Sequence, residues 1–316
     1  MAIQLNDIAI RGPLPEVPTE LPVFLVHTPS LEERRPAIDR FRSLLKLDKF
    51  KTVDEDGSIF FENGSAGVQF YRASGSLWAE NGRADADFPD ERRPWRVVDE
   101  PDRDNAKNKR FVLPDEERKR LAQQAKNLFA EAGLLSPEAH FSGVVLDQVA
   151  KLDAKGREIE RGVGEASARF LYRLETIDVA GPGAKTYAYF NPGADAPKFV
   201  SAYHAWRPVK DSRGIRVTSV EEILERTVLH DPQIQFADKR GDRIELRKID
   251  LAYWALHPDA AQSYVYPVLL VEGVIFFHGA TQRREATEFS RAYNAVSQKE
   301  CAAAGIYADY LVDRID

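Results

Sequence analysis

Side chains suited to general acid–base chemistry are concentrated in the C-terminal half of the chain. Histidine titrates near neutral pH, and a carboxylate or a phenol exchanges protons when its surroundings shift its pKa. Arg207 would serve such a site as an anchor for an anionic substrate. One hypothesis is therefore a small-molecule enzyme of lyase, isomerase or cyclase type that uses neither metal nor nucleotide. Its candidate catalytic residues are His204, Tyr253, His257, Glu272 and His278.

Glu272 is the one carboxylate in the otherwise apolar predicted strand Tyr264–His278. A carboxylate in such surroundings needs a partner, for example Arg207, or its pKa rises. The other interpretation is that Glu272 faces water at a turn, because Gly273 follows it directly. Both interpretations stay open at the level of sequence.

The sequence offers little to a metal or a nucleotide cofactor. Cys301 is the only cysteine, which excludes an intramolecular disulfide and any cysteine-rich zinc or iron–sulfur site. No two histidines stand at i,i+2 or i,i+4, and Walker-type and Gly-x-Gly-x-x-Gly phosphate loops are absent. We therefore expect no cofactor. A metal site assembled through space is the alternative, with His204, His257 and His278 as ligands.

Aromatic residues on predicted strands are the second chemical feature. Tyr187 and Tyr189 have the same parity and so point to one face, while His204 shares its face with Trp206. Tyrosine and tryptophan offer apolar area with a polar tip, which suits binding sites. A sheet face rich in them would bind an apolar ligand or an extended peptide, and ordinary sheet packing is the alternative. The predicted ligand-binding residues are Tyr187, Tyr189, Trp206, Arg207, Trp254 and Tyr266.

Three predicted helices, each followed by several predicted strands, must position these residues. The helices open near Arg35, at Pro114 and at Thr218, and their apolar side chains recur with helical spacing. Strands follow each helix in series rather than singly. This order predicts an α+β fold of repeated helix-plus-antiparallel-meander units, with the helices packed on one face of the sheets.

Several local predictions depend on short patterns. Val23–His27 is predicted as an edge strand after a proline-rich lead-in. Ser30 followed by Glu33 resembles a capping sequence, but Pro36 moves the expected helix start to near Arg35. The remaining predictions are a helix stop at His230-Asp231-Pro232, a strand at Gln233–Ala237 and a terminal helix at Arg283–Ala304.

Composition divides the chain into three predicted parts. Residues 81–113 are dense in charges of both signs and in proline, which indicates an interdomain linker, with a long exposed loop as the alternative. The predicted domains are an N-terminal α+β unit with the charged linker at 1–112, a second α+β unit at 113–212, and a third unit with a C-terminal helix at 213–316.

The second and third units carry a recognisable order of short motifs. These are Ala202–Pro208, Val217–Leu224, Leu251–Trp254 and Val265–Gly273. The order resembles the PepSY-like arrangement over roughly residues 115–280. In that family a helix with a Ser/Thr-x-Glu-Glu signature opens a domain, and a late strand reads aromatic-x-Pro before an apolar run to glycine. The resemblance implies a regulatory or inhibitory module that works with peptidases or sensor kinases and is not usually a catalyst. The family is generally secreted or membrane-anchored, whereas this sequence shows neither signal nor anchor.

Charge and hydropathy limit the partners. The 316-residue chain has a formal net charge of −6, which argues against general nucleic-acid binding. Without a signal-peptide pattern or a bilayer-length apolar run, it is predicted to be cytoplasmic with no membrane partner; a secreted protein with its signal removed is the alternative. The main hypothesis, ahead of the enzyme described above, is a non-catalytic binding or regulatory protein. It would engage a small apolar ligand, a peptide or a protein through an aromatic-rich sheet face or an edge strand.

Overall fold

The computed structural model describes residues 8–82, 96–99, 109–191, 198–226, 228–240, 242–278 and 286–306. Most of the segment 81–113, predicted to be a charged linker, lies outside these residues. Within the described residues the protein is an α+β fold, which is the class predicted from the sequence. One large sheet contains most of the strands, and a separate ladder of two strands accompanies it.

The helices are few and mostly short. In the described part of the chain they are α1 (Leu31–Leu44), α2 (Asp115–Glu131), α3 (Val220–Arg226), α4 (Pro232–Lys239) and α5 (Gln298–Ala303). A 3₁₀ helix, Val228–His230, lies between α3 and α4. None of the described helices is both long and apolar enough to cross a membrane.

The strands range from two residues to seventeen. In chain order they are β1 (Ala9–Ile10), β2 (Glu20–Val26), β3 (Lys51–Glu55), β4 (Ser58–Asn63), β5 (Ala66–Tyr71), β6 (Ser76–Asn81), β7 (Arg96–Asp99), β8 (Lys109–Val112), β9 (Ala139–Leu152), β10 (Glu158–Leu174), β11 (Ile177–Ala180), β12 (Lys185–Asn191), β13 (Lys198–Ala205), β14 (Val209–Arg216), β15 (Arg243–Trp254), β16 (Tyr264–Phe276) and β17 (Ala286–Asn294).

The large sheet joins parts of the chain that are distant in sequence. Its hydrogen-bonded order is β14-β2-β16-β15-β11-β10-β12-β13-β6-β5-β4-β3, with β1, β9 and β17 paired beside this path. Most neighbours are antiparallel, and β15 pairs in parallel with β1 and β11. β6 pairs with β13, and β2 pairs with both β14 and β16. The domain divisions expected near residues 112 and 212 stay predictions.

Helices α1 and α2 cover one face of the sheet between β4 and β10. The strand residues beneath them are almost fully buried, including Leu77 on β6, Ala168 on β10, Ala188 on β12 and Ala202 on β13. Alanines at three of these positions leave room for the large helix side chains that pack on them. Residues of the opposite parity on the same strands point away from the helices, and that second face carries the candidate site.

A second core lies under α3, α4 and α5 and includes β2. The prediction that Val23–His27 is an edge strand is wrong, because β2 spans Glu20–Val26 and has a neighbour on each side. Val23 is 1% exposed in this core. The partners of β2 come from the far end of the chain, so no local pattern could have revealed them.

Helix α1 begins at Leu31, earlier than the predicted start near Arg35. The Ser30 hydroxyl accepts the Glu33 backbone N–H at 3.3 Å, and the Glu33 carboxylate accepts the Ser30 N–H at 2.7 Å. This complete capping box satisfies two backbone donors at the helix start. Pro36 therefore lies inside the helix, where it removes one backbone hydrogen bond without ending it.

The predicted strand at Gln233–Ala237 is wrong, because these residues belong to helix α4. The Asp231 carboxylate accepts the Gln233 backbone N–H at 2.7 Å, and Pro232 occupies the first helical position. Proline is favoured there because a backbone N–H at the first helical position would have no acceptor within the helix, so its absence costs nothing. The predicted stop at residues 230–232 thus also opens the next helix.

The predicted terminal helix at Arg283–Ala304 is also wrong. The described residues form strand β17 and the short helix α5, and β17 pairs with β16 along its whole length. Phe289 and Tyr293 are both buried. Their spacing of four residues places them on one face of a helix and equally on one face of a strand, so periodicity alone could not choose.

Candidate functional site

The candidate site lies on the sheet face that points away from α1 and α2. Tyr203 pairs with Trp78 on one side and with Tyr187 on the other, while Gln69 pairs with Trp78 and with Phe60. Directly paired residues of neighbouring strands share a face, so these side chains form a row across five strands. Each of them is partly exposed. We define the aromatic strip as Phe60, Trp78, Tyr187, Tyr189 and Tyr203.

Ring contacts join the tryptophan and the three tyrosines of the aromatic strip. The Trp78 ring centroid lies 5.5 Å from that of Tyr203 and 6.5 Å from that of Tyr189, and the Tyr187 and Tyr189 rings meet edge to face at 6.3 Å. Such ring pairs stabilise by about 0.5–1.5 kcal/mol each beyond their burial. The Arg169 guanidinium lies 5.0 Å from the Tyr187 ring centroid. The strip is therefore a preorganised surface.

A groove of about 420 Å³ opens on this face beside Trp78. Phe60 and Trp78 are aromatic residues in its lining, and Gly67 contributes only backbone. The Trp78 indole N–H donates to the Glu80 carboxylate at 3.1 Å, which restrains the indole. Glu62 also lines the groove. The groove thus combines aromatic walls with two carboxylates.

The strip tyrosines are hydrogen-bond donors rather than bases. Burial raises the pKa of Tyr187 and Tyr189 above the ordinary phenol value. Burial also raises the pKa of Tyr203, and the nearby Tyr71 and Asp259 add to that effect. All three phenols keep their protons at neutral pH, because their pKa values lie above that of an ordinary phenol. The Tyr203 hydroxyl donates to a backbone carbonyl at 3.4 Å.

His204 lies on the helix-covered face and is 2% exposed. Its Nδ1 atom is 2.8 Å from the Thr186 hydroxyl, which in turn is 2.5 Å from the Tyr172 hydroxyl. Burial lowers the pKa of His204 well below its ordinary value, and the Arg34 charge adds to the effect. His204 is therefore neutral at physiological pH and belongs to a buried polar chain.

Arg207 is 2% exposed, and its guanidinium is hydrogen-bonded to backbone carbonyls. Its guanidinium donates to the carbonyls of Leu256 and His257 at 3.4 Å, and to that of Ala260. Burial lowers the pKa of Arg207 to about 10, so the group stays charged at neutral pH. Its donors connect the segment that follows β13 to the loop at 256–260. Glu272, the partner suggested for it, is instead an exposed residue within β16, opposite Lys248.

The other predicted acid–base residues have separate partners. The Tyr253 hydroxyl donates to a backbone carbonyl of β2 at 2.9 Å. His257 Nδ1 lies 3.0 Å from the Asp259 carboxylate, and 58% of the His257 side chain is exposed. His278 is exposed, and its backbone N–H donates to Asp242 at 2.8 Å. Across the described residues, no group of three or more His, Cys, Asp or Glu side chains is placed to hold a metal ion.

The six predicted ligand-binding residues lie in different parts of the molecule. The two β12 tyrosines are on the aromatic strip. Trp206 is 2% exposed and stacks on Tyr172 with 4.1 Å between ring centroids. Trp254 and Tyr266 pair with each other across β15 and β16, in the other half of the sheet. Arg207 holds the loop at 256–260.

No motif in the sequence marks Phe60, Gln69, Trp78, Glu80 or Arg169 as binding residues. Parity within each strand is the only signal that the sequence offers for them. In β6, for example, Trp78 and Glu80 alternate with the buried Leu77 and Ala79. Parity does not say which strands are neighbours, so the strip could not be assembled from sequence.

Comparisons with known proteins give no family for this chain. No family model matches it, and no curated protein matches it. It is similar to a solved structure of an uncharacterized protein from Eubacterium rectale ATCC 33656, with a TM-score of 0.45 and 12% sequence identity. That match covers 88% of this chain and 84% of the other.

Proposed function

We propose that the protein is a non-catalytic binding protein that holds an extended peptide segment of a partner on the aromatic strip. The observation that carries the proposal is the row formed by Trp78, Tyr203 and Tyr187, side by side and partly exposed on the face opposite the helices. Tyrosine and tryptophan give large contact area while immobilising few torsions, so binding at such a surface loses little side-chain entropy.

The sheet face supports peptide binding better than the sheet ends do. Strand β3 at one end of the sheet order carries Lys51, Asp54 and Glu55, and β14 at the other end carries Lys210 and Asp211. Charges on an outer strand oppose the addition of another strand. The aromatic strip instead presents apolar area with hydroxyl groups that can bond to a peptide backbone.

A repeated architecture forms the second part of the proposal. Helix α1 precedes β3–β6, α2 precedes β9–β13, and α3 and α4 precede β15–β17, which supports three units of a helix followed by a mainly antiparallel meander. The PepSY-like resemblance implies regulatory or inhibitory modules. A binding role without catalysis agrees with that implication.

A general acid–base enzyme has less support. His204 is buried and neutral, Arg207 is occupied by backbone carbonyls, and Glu272 faces solvent. A catalytic acid and base need hydrogen-bond reach to one substrate. The contacts of these three residues do not bring an acid and a base within hydrogen-bond reach of one substrate.

Selection from a displayed library of random linear peptides tests the proposed function. We expect the immobilised wild-type protein to enrich peptides that lose about tenfold or more in affinity toward Trp78→Ala and Tyr203→Ala, because central aromatic anchors dominate binding free energies. Isothermal titration calorimetry with the enriched peptides measures the loss, and thermal unfolding shows whether each variant is folded.

Phe236→Ala is the matched control, because Phe236 is an aromatic residue of α4 that is 60% exposed and lies outside the strip. Its affinity for the enriched peptides should equal that of the wild type. Folded Trp78→Ala and Tyr203→Ala variants that bind like the wild type would refute the proposal, and so would a library that yields no binder.

A further inference from the structure

We propose that the peptide on the aromatic strip is basic, and that one of its arginine or lysine side chains enters the groove beside Trp78. The inference rests on the proposed function, because it specifies the ligand of the same surface. At this groove the aromatic rings of the strip and the carboxylates of the sheet face lie together.

The groove carries negative charge. Glu62 and Glu80 line it, and no lysine or arginine is among its described lining residues. Glu62 is paired with the exposed Lys51 at 2.8 Å, so its charge is partly neutralised. Glu80 is the carboxylate in contact with the Trp78 indole. The net charge of −6 adds attraction toward a basic ligand at longer range.

Trp78 and Glu80 together suit a planar cation. The negative face of an indole attracts a guanidinium or ammonium group, and tryptophan does so better than tyrosine or phenylalanine. The indole N–H bond to Glu80 places a carboxylate at the edge of that ring. A guanidinium that stacks on the ring can therefore also donate to the carboxylate, which is the combination that distinguishes arginine from a neutral residue.

Charge at the other end of the strip sets a direction for the peptide. The Arg169 guanidinium lies over Tyr187 and donates to the Ser167 hydroxyl at 2.9 Å. A basic ligand group would be repelled there and attracted toward Glu80. The groove end is thus the expected place for the cationic side chain, and the Tyr187 end for an uncharged part of the peptide.

The length of the strip favours a peptide over a small cation. From Phe60 on β4 to Tyr187 on β12 the row crosses four strand spacings, which is about 19 Å at about 4.8 Å each. An extended chain covers that distance with about six residues, at about 3.3 Å per residue. A small quaternary ammonium ion would contact only the groove.

Fluorescence anisotropy with three labelled peptides of about six residues tests the inference. One carries a single arginine near one end of an otherwise uncharged sequence of leucine and serine, the second replaces that arginine with citrulline, which has the same shape without the charge, and the third replaces it with glutamate. We expect the wild type to bind the arginine peptide about tenfold more tightly than the citrulline peptide and the glutamate peptide most weakly, with the differences shrinking at high salt.

Glu80→Gln should reduce the preference for the arginine peptide about three- to fivefold, the size expected for the loss of one exposed charge pair, because the Trp78 ring is unchanged. Glu288→Gln is the matched control, because Glu288 is an exposed carboxylate on β17, away from the strip. It should leave all three affinities unchanged.

Equal binding of the arginine and citrulline peptides, or an equal effect of Glu80→Gln on both, overturns the inference. The proposed function survives that result if Trp78→Ala and Tyr203→Ala still weaken binding about tenfold or more. If the arginine peptide does not bind at all, the inference fails, and the peptide-library selection decides the proposed function separately.

Discussion

His204 shows how burial turns a titratable residue into a structural one. Its ring is hydrogen-bonded to Thr186, which is bonded in turn to Tyr172, and the Arg34 charge lies nearby. Protonating the ring would place a second positive charge in a region of low dielectric. The folded state therefore excludes the proton that the unfolded chain accepts.

We expect the free energy of unfolding to decrease as the pH falls below about 6.5, the ordinary histidine pKa. Because folding lowers the pKa of His204, the unfolded chain binds more protons in this window, and stability is lost with a limiting slope of about 1.4 kcal/mol per pH unit. Urea unfolding at several pH values measures the slope. His204→Gln should flatten it by that amount, and equal slopes for both proteins would contradict the burial argument.

Residue types and parity on a strand could be predicted, but exposure could not. The sequence places His204 and Trp206 on one face of a strand, but β13 ends at Ala205, and Trp206, a predicted ligand-binding residue, is 2% exposed like His204. The sequence does not say which face the helices cover. Tyr203 directly precedes His204 in β13. Because successive side chains of a strand alternate between its two faces, Tyr203 points to the opposite face, toward Trp78 and Tyr187.

Asp231 caps the first turn of α4, a segment that the sequence predicts to be a strand. Its carboxylate accepts the Gln233 N–H at 2.7 Å as the cap of α4, and it also accepts the Tyr293 hydroxyl of β17 at 2.9 Å. The side chain is therefore both a helix cap and a link between the helix and the sheet. At 4% exposure it has little contact with water.

We expect Asp231→Ala to destabilise the protein by about 2–4 kcal/mol, from the lost cap and from the buried Tyr293 hydroxyl that is left without its acceptor. Chemical denaturation at neutral pH measures the loss. Asp231→Asn keeps a side-chain oxygen at the cap, so it should lose less than half as much. A similar loss for both variants would show that the hydrogen-bonded cap is not the cause.

Among the helices and strands, sequence predicts a feature best where a side chain is hydrogen-bonded to the backbone a few residues away, as in a helix cap. The Ser30–Glu33 pattern predicts the cap of α1, but Pro36 shifts the predicted helix start too far along the chain, because this helix continues through the proline. Short apolar spacings fit both the helical and the strand period, so they predict the wrong element for β17 and for α4. β17 is a strand because it pairs with β16, and the buried side chains of α4 pack in the second core.

Strand β2 connects the two ends of the chain in the whole molecule. It pairs with β14 along seven residues and with β16 at its C-terminal end, and its apolar side chains are buried in two cores. Leu21, Val23, Phe24 and Val26 are all less than 10% exposed. A segment near the start of the sequence thus completes the fold of its last third.

A chain that begins at residue 27 is expected to lose its cooperative thermal transition. Removing four buried apolar side chains costs about 6–12 kcal/mol, which is comparable with the whole stability of a typical domain. Differential scanning calorimetry detects the loss. A synthetic peptide of residues 8–26 should restore the transition when added in excess, and a truncated chain that melts like the wild type would refute the central role of β2.

The sequence predicts the α+β class and the parity of side chains on the strands it identifies, because both depend on neighbours a few residues away. The neighbours of β13 could not be predicted from the sequence: this strand lies between β12 and β6, so Tyr187, Tyr203 and Trp78 stand in one row. The order of strands is set by how apolar faces from distant segments bury one another, and that is a property of the whole chain.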